Sequence, residues 1–354
     1  MRTETGRRAA AVTLAAAIAL AGCADGDEPA ARRTTTAPAP PAAGDRTATD
    51  LQETYEEVVR TVLPSVVQIE TDKGEGSGVV YDDAGHIVTN AHVVAGAKKI
   101  QVVPASGGAP MAATLAGAFD PDDLAVVKVE GGRLPKAAFG DSTRLAVGQM
   151  VLAMGNPLGL SGSVTNGIIS AMGRTVSTRP GGAFPGSTIS QAIQTSAAIN
   201  PGNSGGALVT LDGKVIGIPT AAAGSPSGGA APGIGFATPS ATVTAIVPQL
   251  IQDGKVTNSG RAALGVTVRT VVNLSNGRPV GAEVVKVEKE GGALKAGIQP
   301  GDVITALNGT ETPTTQALTQ VLAALKPGDA AEVTVMRGGE RRTLDVTLGR
   351  LPAG

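Results

Sequence analysis

The stretch Asn200-Pro201-Gly202-Asn203-Ser204-Gly205-Gly206 sets a single serine among three glycines and two asparagines. A serine hydroxyl is a poor nucleophile until a base accepts its proton. The oxyanion formed on attack needs converging donors. The N–H groups of Gly202 and Ser204 suit that task, because glycine permits the backbone twist that aims them inward. Gly205 and Gly206 leave room for a substrate to approach. A plain glycine-rich turn is the competing reading of the same residues.

Working outward, a histidine base must be His86 or His92, since the chain has only two histidines. His86 follows Ala84-Gly85 at a turn, where an exposed side chain is expected. His92 lies in Thr89-Asn90-Ala91-His92-Val93-Val94, just after a strand-like run. Residues 202–206 also fit Gly-x-Ser-x-Gly, the nucleophile elbow of α/β-hydrolases, but in that fold the histidine follows the serine. Here both precede it. Histidine, then acid, then serine is the order of the chymotrypsin-like β-barrels. The surrounding pattern agrees. Short runs rich in Val, Ile and Leu occupy residues 65–69, 78–81, 86–89, 99–103, 125–129, 150–153, 167–171, 206–210 and 215–218, with turns such as Asp83-Ala84-Gly85 and Asp212-Gly213 between them. They predict a mainly β fold, a sandwich or barrel. Apolar spacing at Leu51, Tyr55, Val58, Val59 and Val62 predicts a helix stopped by Pro64, and residues 239–252 predict a second.

The acid must lie between His92 and Ser204, at Asp120, Asp122, Asp123 or Asp141. Asp123 opens Asp123-Leu124-Ala125-Val126-Val127, the start of a buried strand, where a carboxylate can orient an imidazole from the interior. Asp120 and Asp122 flank Pro121 and read as solvated turn residues.

With these residues in place, the chain resembles the HtrA (Deg) family of serine proteases. The resemblance rests on Gly76-Ser77-Gly78 through Thr89–Val94, Asp120-Pro121-Asp122-Asp123-Leu124-Ala125-Val126-Val127-Lys128, Gly155-Asn156-Pro157-Leu158-Gly159-Leu160, residues 163–171 and residues 200–206. These segments are collinear, and the likeness spans roughly residues 55–350. It implies His92 as general base, Asp123 as orienting acid and Ser204 as nucleophile, with an oxyanion hole at Gly202, Asn203 and Ser204. It implies a chymotrypsin-like double β-barrel followed by a PDZ domain, and a homotrimer built by residues near 51–65, where only Tyr55 offers aromatic support.

Two departures from that family's pattern stand out. Ser196 replaces a usual Asp eight positions before Ser204, and Pro219 replaces a usual Asn in the strand that pairs with substrate. Pro219 has no N–H to donate, so pairing there must use carbonyls. The specificity pocket is expected between Ala198, Ile199, Asn200 and Pro201 on one side and Ile218, Pro219, Thr220 and Ala221 on the other. These residues are small and uncharged, so cleavage after small or medium aliphatic residues is expected. Residues 175–190 read either as a disordered insertion or, by resemblance, as a regulatory loop ordered by ligand. Gly74-Glu75-Gly76-Ser77-Gly78 hints at a nucleotide loop, but a strand follows it rather than a helix.

After a polar hinge at residues 253–260, a second unit at 261–352 shows strands near 264–268, 282–287, 302–307, 331–336 and 343–348. Its helix is predicted over 314–325, with Thr312 as cap and Pro313 at the first turn. Ala263-Leu264-Gly265-Val266 and Gly297-Ile298-Gln299-Pro300-Gly301-Asp302 resemble an HtrA-type PDZ domain. Such a domain adds a peptide as an extra strand and binds its terminal carboxylate at residues 263–266.

The first domain is placed at residues 51–252. Before it, residues 23–50 are rich in Ala, Pro and Thr and read as a disordered tether. Residues 1–22 carry Arg2, Arg7 and Arg8, then an apolar run too short to span a bilayer, then Leu20-Ala21-Gly22-Cys23. This reads as an export signal with a bacterial lipobox. Cys23, the only cysteine, would be lipidated, anchoring the protein to the membrane outside the cytoplasm. A single cysteine also excludes an internal disulfide and a cysteine-based zinc site. A net charge of −1 and 2% aromatics argue against nucleic-acid binding. Nothing in the sequence calls for a metal or an organic cofactor. The expected activity is hydrolysis of unfolded or damaged extracytoplasmic proteins, regulated by C-terminal peptides at the PDZ unit. The alternative is a proteolytically weak chaperone or scaffold.

Overall fold

The computed structural model describes residues 43–131, 133–156, 162–178, 181–200, 202–224 and 230–351. Side chains of residues 43–47, 221–224 and 230–232 lie outside the description, as do Cys23, Pro201 and the whole stretch before Ala43.

Helix α1 (Ala43–Val62) runs into the first barrel and buries Val58 and Val62. It begins eight residues before the start that apolar spacing predicted. The added residues carry no large apolar side chain, so periodicity gave no sign of them. The first closed barrel comprises β1 (Val66–Thr71), β2 (Glu75–Val80), β3 (His86–Thr89), β4 (Ile100–Pro104), β5 (Met111–Phe119) and β6 (Leu124–Val129), in the order β1-β2-β3-β6-β5-β4. Helix α2 (Ala91–Val94) follows β3. The second comprises β7 (Met150–Gly155), β8 (Ser163–Ser177), β9 (Thr188–Thr195), β10 (Ala207–Thr210), β11 (Val215–Gly224) and β12 (Ala230–Pro239), in the order β10-β11-β12-β9-β8-β7.

Runs such as Leu124-Ala125-Val126-Val127 and Val151-Leu152-Ala153-Met154 show no polar alternation because both faces of these strands are covered. Ala125 and Val127 point into the first barrel with Val67, Ile69, Ile87 and Val102. Val151 and Ala153 point into the second with Ile169, Ile193 and Leu208. Leu124, Val126, Leu152 and Met154 meet in a third cluster joining the barrels, closed by Val243, Ile246, Val247 and Leu250 of α3 (Ser240–Asp253). Strands β5, β9 and β12 were not predicted. Their sequences are diluted by Gly, Thr and Gln, and β5 is half exposed.

The C-terminal unit is built on β14 (Val266–Val272), β15 (Pro279–Val287), β16 (Val303–Leu307), β18 (Ala330–Arg337) and β19 (Glu340–Thr347) in that order, with β17 (Thr310–Glu311) paired to β16. The short strands β13 (Ala262–Ala263) and β20 (Gly349–Arg350) close its base, and α4 (Gly292–Lys295) and α5 (Thr315–Leu322) pack on it. Helix α5 is shorter than predicted and is capped by Thr314, whose Oγ1 accepts from Ala317 N at 3.0 Å. Thr312 does not cap it; its N–H still pairs with Thr305 O and its side chain is buried.

Candidate active site

His92 is carried on α2 just past β3, and Asp123 heads β6, the neighbour of β3 in the barrel. That adjacency closes the pair. His92 Nδ1 lies 2.7 Å from Asp123 Oδ2, and the His92 backbone N–H donates to Asp123 Oδ1 at 3.0 Å. The Asp123 side chain is 0% exposed and that of His92 33%. A buried carboxylate only accepts, so Nδ1 carries the proton and Nε2 is left with its lone pair. Asp123 stands at φ 51°, in the left-handed region, after the tight turn Asp120–Asp122. Non-glycine residues are uncommon there, and such strain persists where surroundings over-determine it. Two bonds do so here: Asn90 Nδ2 donates to Asp123 O at 2.9 Å, and the Thr220 hydroxyl donates to Asp123 Oδ2.

Ser204 comes from the other barrel, in the turn before β10. Its carbonyl accepts from Ser77 N at 2.8 Å, and Gly205 N donates to Pro219 O at 2.9 Å. Gly205 has φ +84°; a Cβ there would lie 2.2 Å from Ser77 O and 3.2 Å from Asn90 N, two residues before His92. The serine turn is thus seated against the strand end that carries the histidine. Among the described residues no hydrogen bond joins Ser204 to His92; in resting sites such contacts are often long and tighten with substrate. Gly202 has φ +100°, its carbonyl accepts from the Ser77 hydroxyl, and Asn203 N donates to Asn200 O at 3.0 Å. The Asn203 N–H is thus engaged within the turn.

Several expectations change here. Asp122 is not solvated: its side chain is 3% exposed and pairs with Arg261, whose Nη1 donates to Asp122 Oδ1 at 3.1 Å and to Pro121 O at 2.7 Å. Burial pushes the Asp122 carboxyl up, and Arg261 pulls it only part of the way back. Burial, with the Asp123 charge behind it, also pushes Asp120 up. His86 is not exposed either; its side chain is 15% exposed and Nδ1 sits 2.7 Å from Asp82 Oδ2. Ile218 cannot wall a substrate pocket with its side chain, which is buried between the barrels because β11 alternates at that point. Thr220 turns to Asp123 rather than to substrate. The Pro219 carbonyl is spent on Gly205. On the opposite wall Ile199 is buried against Gly235, where a Cβ would lie 2.4 Å from Ile199 Cγ1. The Ala198 carbonyl accepts from Thr165 Oγ1 at 2.9 Å. Ser196 Oγ accepts from Ile168 N at 3.0 Å. Pro201 and the Ala221 side chain lie outside the described residues.

In the C-terminal unit, Ala263, Leu264, Gly265 and Val266 line a groove of about 760 Å³ with Leu318 and Leu322 of α5. The turn is held by Ala293 N on Leu264 O and Glu288 N on Gly265 O, both at 2.9 Å. The groove is also lined by Asp120, Pro121 and residues 185–188 of the barrel body.

Residues 76–218 match the trypsin-like peptidase domain, and residues 262–348 match the PDZ domain. An HtrA-type protease, AlgW with decapeptide, aligns over 84% of this chain and 99% of its own at 33% identity and TM-score 0.56. The chain belongs to the HtrA family. The serine endoprotease from Yersinia pestis is similar over 84% of this chain and 98% of its own, at 34% identity and TM-score 0.55. A protein of Ectopseudomonas mendocina named "Probable periplasmic serine endoprotease DegP-like" is 42% identical over 282 residues, 78% of this chain. This HtrA chain spans 56% of that relative's length.

Proposed function

We propose that this chain is a serine endopeptidase. The observation that carries the reading is the doubly tied His92–Asp123 pair, which leaves Nε2 free of the carboxylate, with the Ser204 turn seated against the strand end just before His92. Nε2 takes the Ser204 proton as Oγ attacks a peptide carbonyl. The N–H groups of Gly202 and Ser204 receive the oxyanion, and His92 returns the proton to the leaving amine. Water then releases the acyl group by the same path in reverse. Asp123, fixed by Thr220 and Asn90, holds the imidazole in one tautomer and stabilises its charged form.

Unfolded or damaged proteins suit this cleft, since substrate must lie extended to pair with its strands. The buried Ile199–Gly235 wall supports cleavage after small aliphatic residues. C-terminal peptides are the proposed ligands of the groove at residues 263–266. Relatives named periplasmic, together with Leu20-Ala21-Gly22-Cys23, support an extracytoplasmic site with lipid anchoring at Cys23. A homotrimer is supported by exposed Leu51, Met150, Val164 and Ile168; Met150 and Ile168 pair across β7 and β8, and the Tyr55 hydroxyl reaches Met150 Sδ at 3.8 Å. Sedimentation at working concentration tests it; a monomer alone overturns it.

The deciding experiment is casein digestion and fluorophosphonate labelling by the chain and by Ser204→Ala. Both signals should vanish together in the variant. Casein cleavage that survives in Ser204→Ala would overturn the reading.

A further inference from the structure

The chain has four phenylalanines and no tryptophan, yet one of its few aromatic rings is placed on His92. Phe184 and His92 have ring centroids 5.8 Å apart with planes at 60°. Phe184 is 5% exposed and packs with Ala91, Val93 and Val94, the residues on either side of the histidine. It does not come from α2 or from the barrel that carries His92. It reaches over from the connection between β8 and β9.

That connection is built to hold its position. At its tip Gly181 N donates to Phe184 O at 3.0 Å, and Phe184 N donates back to Gly181 O at 2.9 Å. At its base Thr178 N donates to Ser187 O at 3.0 Å, and the two hydroxyls lie 2.8 Å apart. It comes close to Gly96, two residues past α2: a Cβ at Gly96 would lie 2.7 Å from Ala183 Cβ. On its other flank Pro185, Gly186 and Ser187 wall the groove at residues 263–266, and Ser177 Oγ accepts from Gln320 Nε2 of α5 at 3.0 Å.

Asp123 fixes the Nδ1 edge of the imidazole but leaves the ring face open. An imidazole held at one edge can still swing about its Cα–Cβ bond and carry Nε2 away from the serine. We propose that Phe184 is a positioning residue for His92, an aromatic stop that confines the ring. This rests on reading His92 as the base of Ser204.

The test is the rate of fluorophosphonate labelling of Ser204 in the full chain, with kcat and KM on a peptide with an aliphatic residue before the scissile bond. Circular dichroism sets a temperature at which every variant is folded. Phe184→Ala should slow labelling and lower kcat by roughly 3- to 10-fold, the scale of one aromatic pair, with KM held within about twofold. Phe184→Tyr should restore the rate. Phe184→Leu, which keeps the apolar volume, gives the reading if the alanine variant does not fold, and should lie between the two. An alanine or leucine variant that labels at the wild-type rate overturns the proposal. His92→Ala separates the two readings. If it still labels at the wild-type rate, the base assignment fails. If it is silent while Phe184→Ala is unimpaired, only the positioning role fails.

Discussion

The Thr220 hydroxyl and the His92 ring meet on one oxygen, Oδ2 of Asp123. The histidine belongs to the first barrel and the threonine to the second, so the carboxylate is gripped from both. A hydrogen bond to a charged group is worth roughly 1.5–3 kcal/mol. Thr220→Val, which removes only the donor, should therefore lower kcat about tenfold, and Thr220→Ser should restore it. Steady-state rates on a peptide substrate decide; an unchanged kcat in the valine variant would reduce Thr220 to a packing residue.

Gly205 tolerates no side chain. Its φ of +84° and the 2.2 Å approach of Ser77 O to a Cβ both oppose one. Gly205→Ala should cost more than about 2 kcal/mol and silence labelling of Ser204. Urea unfolding and fluorophosphonate capture measure the two effects. A stable, labelled variant would mean that the turn before β10 can shift without loss.

Arg261 holds the buried carboxyl next to Asp123. Arg261→Met leaves Asp122 buried without its partner, at a cost of about 3 kcal/mol near neutral pH. Burial already raises Asp122, and loss of the guanidinium raises it further. A raised folded value binds the proton more tightly than the unfolded chain does, so both proteins lose stability as pH climbs above the unfolded value of about 3.9; the variant, raised further, goes on losing it after the wild type has levelled off. Denaturant midpoints should therefore separate variant from wild type more at pH 8 than at pH 5. Equal gaps would sink the argument.

In the C-terminal unit the sign is reversed. Burial pushes the Asp302 carboxyl up, but two bonds from Arg337 and the Gln299 N–H outweigh it and hold the carboxyl below its ordinary value. A depressed folded value contributes stability above about pH 4 that disappears as pH falls through the lower value. Amide protection factors in β16 and β18, corrected for the intrinsic pH dependence of exchange, should fall on acidification in the wild type. In Arg337→Met they should be low already at neutral pH. Matching exchange profiles would show that the ion pair does not hold the sheet.

Much of this was legible in the sequence because the chemistry is sparse. With two histidines, their order against Ser204 separated two serine-hydrolase folds, and the unbroken apolar run after Asp123 marked a strand buried on both faces. What escaped was contact between segments distant along the chain. Asp122 reads as a turn residue until Arg261 arrives 139 positions later. Thr220 reads as part of a substrate strand until its hydroxyl is seen on Asp123. Phe184 sits in a stretch rich in Pro and Gly, and nothing local ties it to His92. Helix α5 lies within its predicted range, but Thr314 rather than Thr312 caps it, a choice that two threonines flanking Pro313 leave to tertiary pairing.

The two barrels divide the proposed site between them, His92 and Asp123 on one, Ser204 and Thr220 on the other. Neither half carries a usable site alone. A chain with its first barrel formed and its second still unfolded is harmless to its neighbours and to itself. Competence appears only when the last strands close, which makes completion of folding its own safety catch.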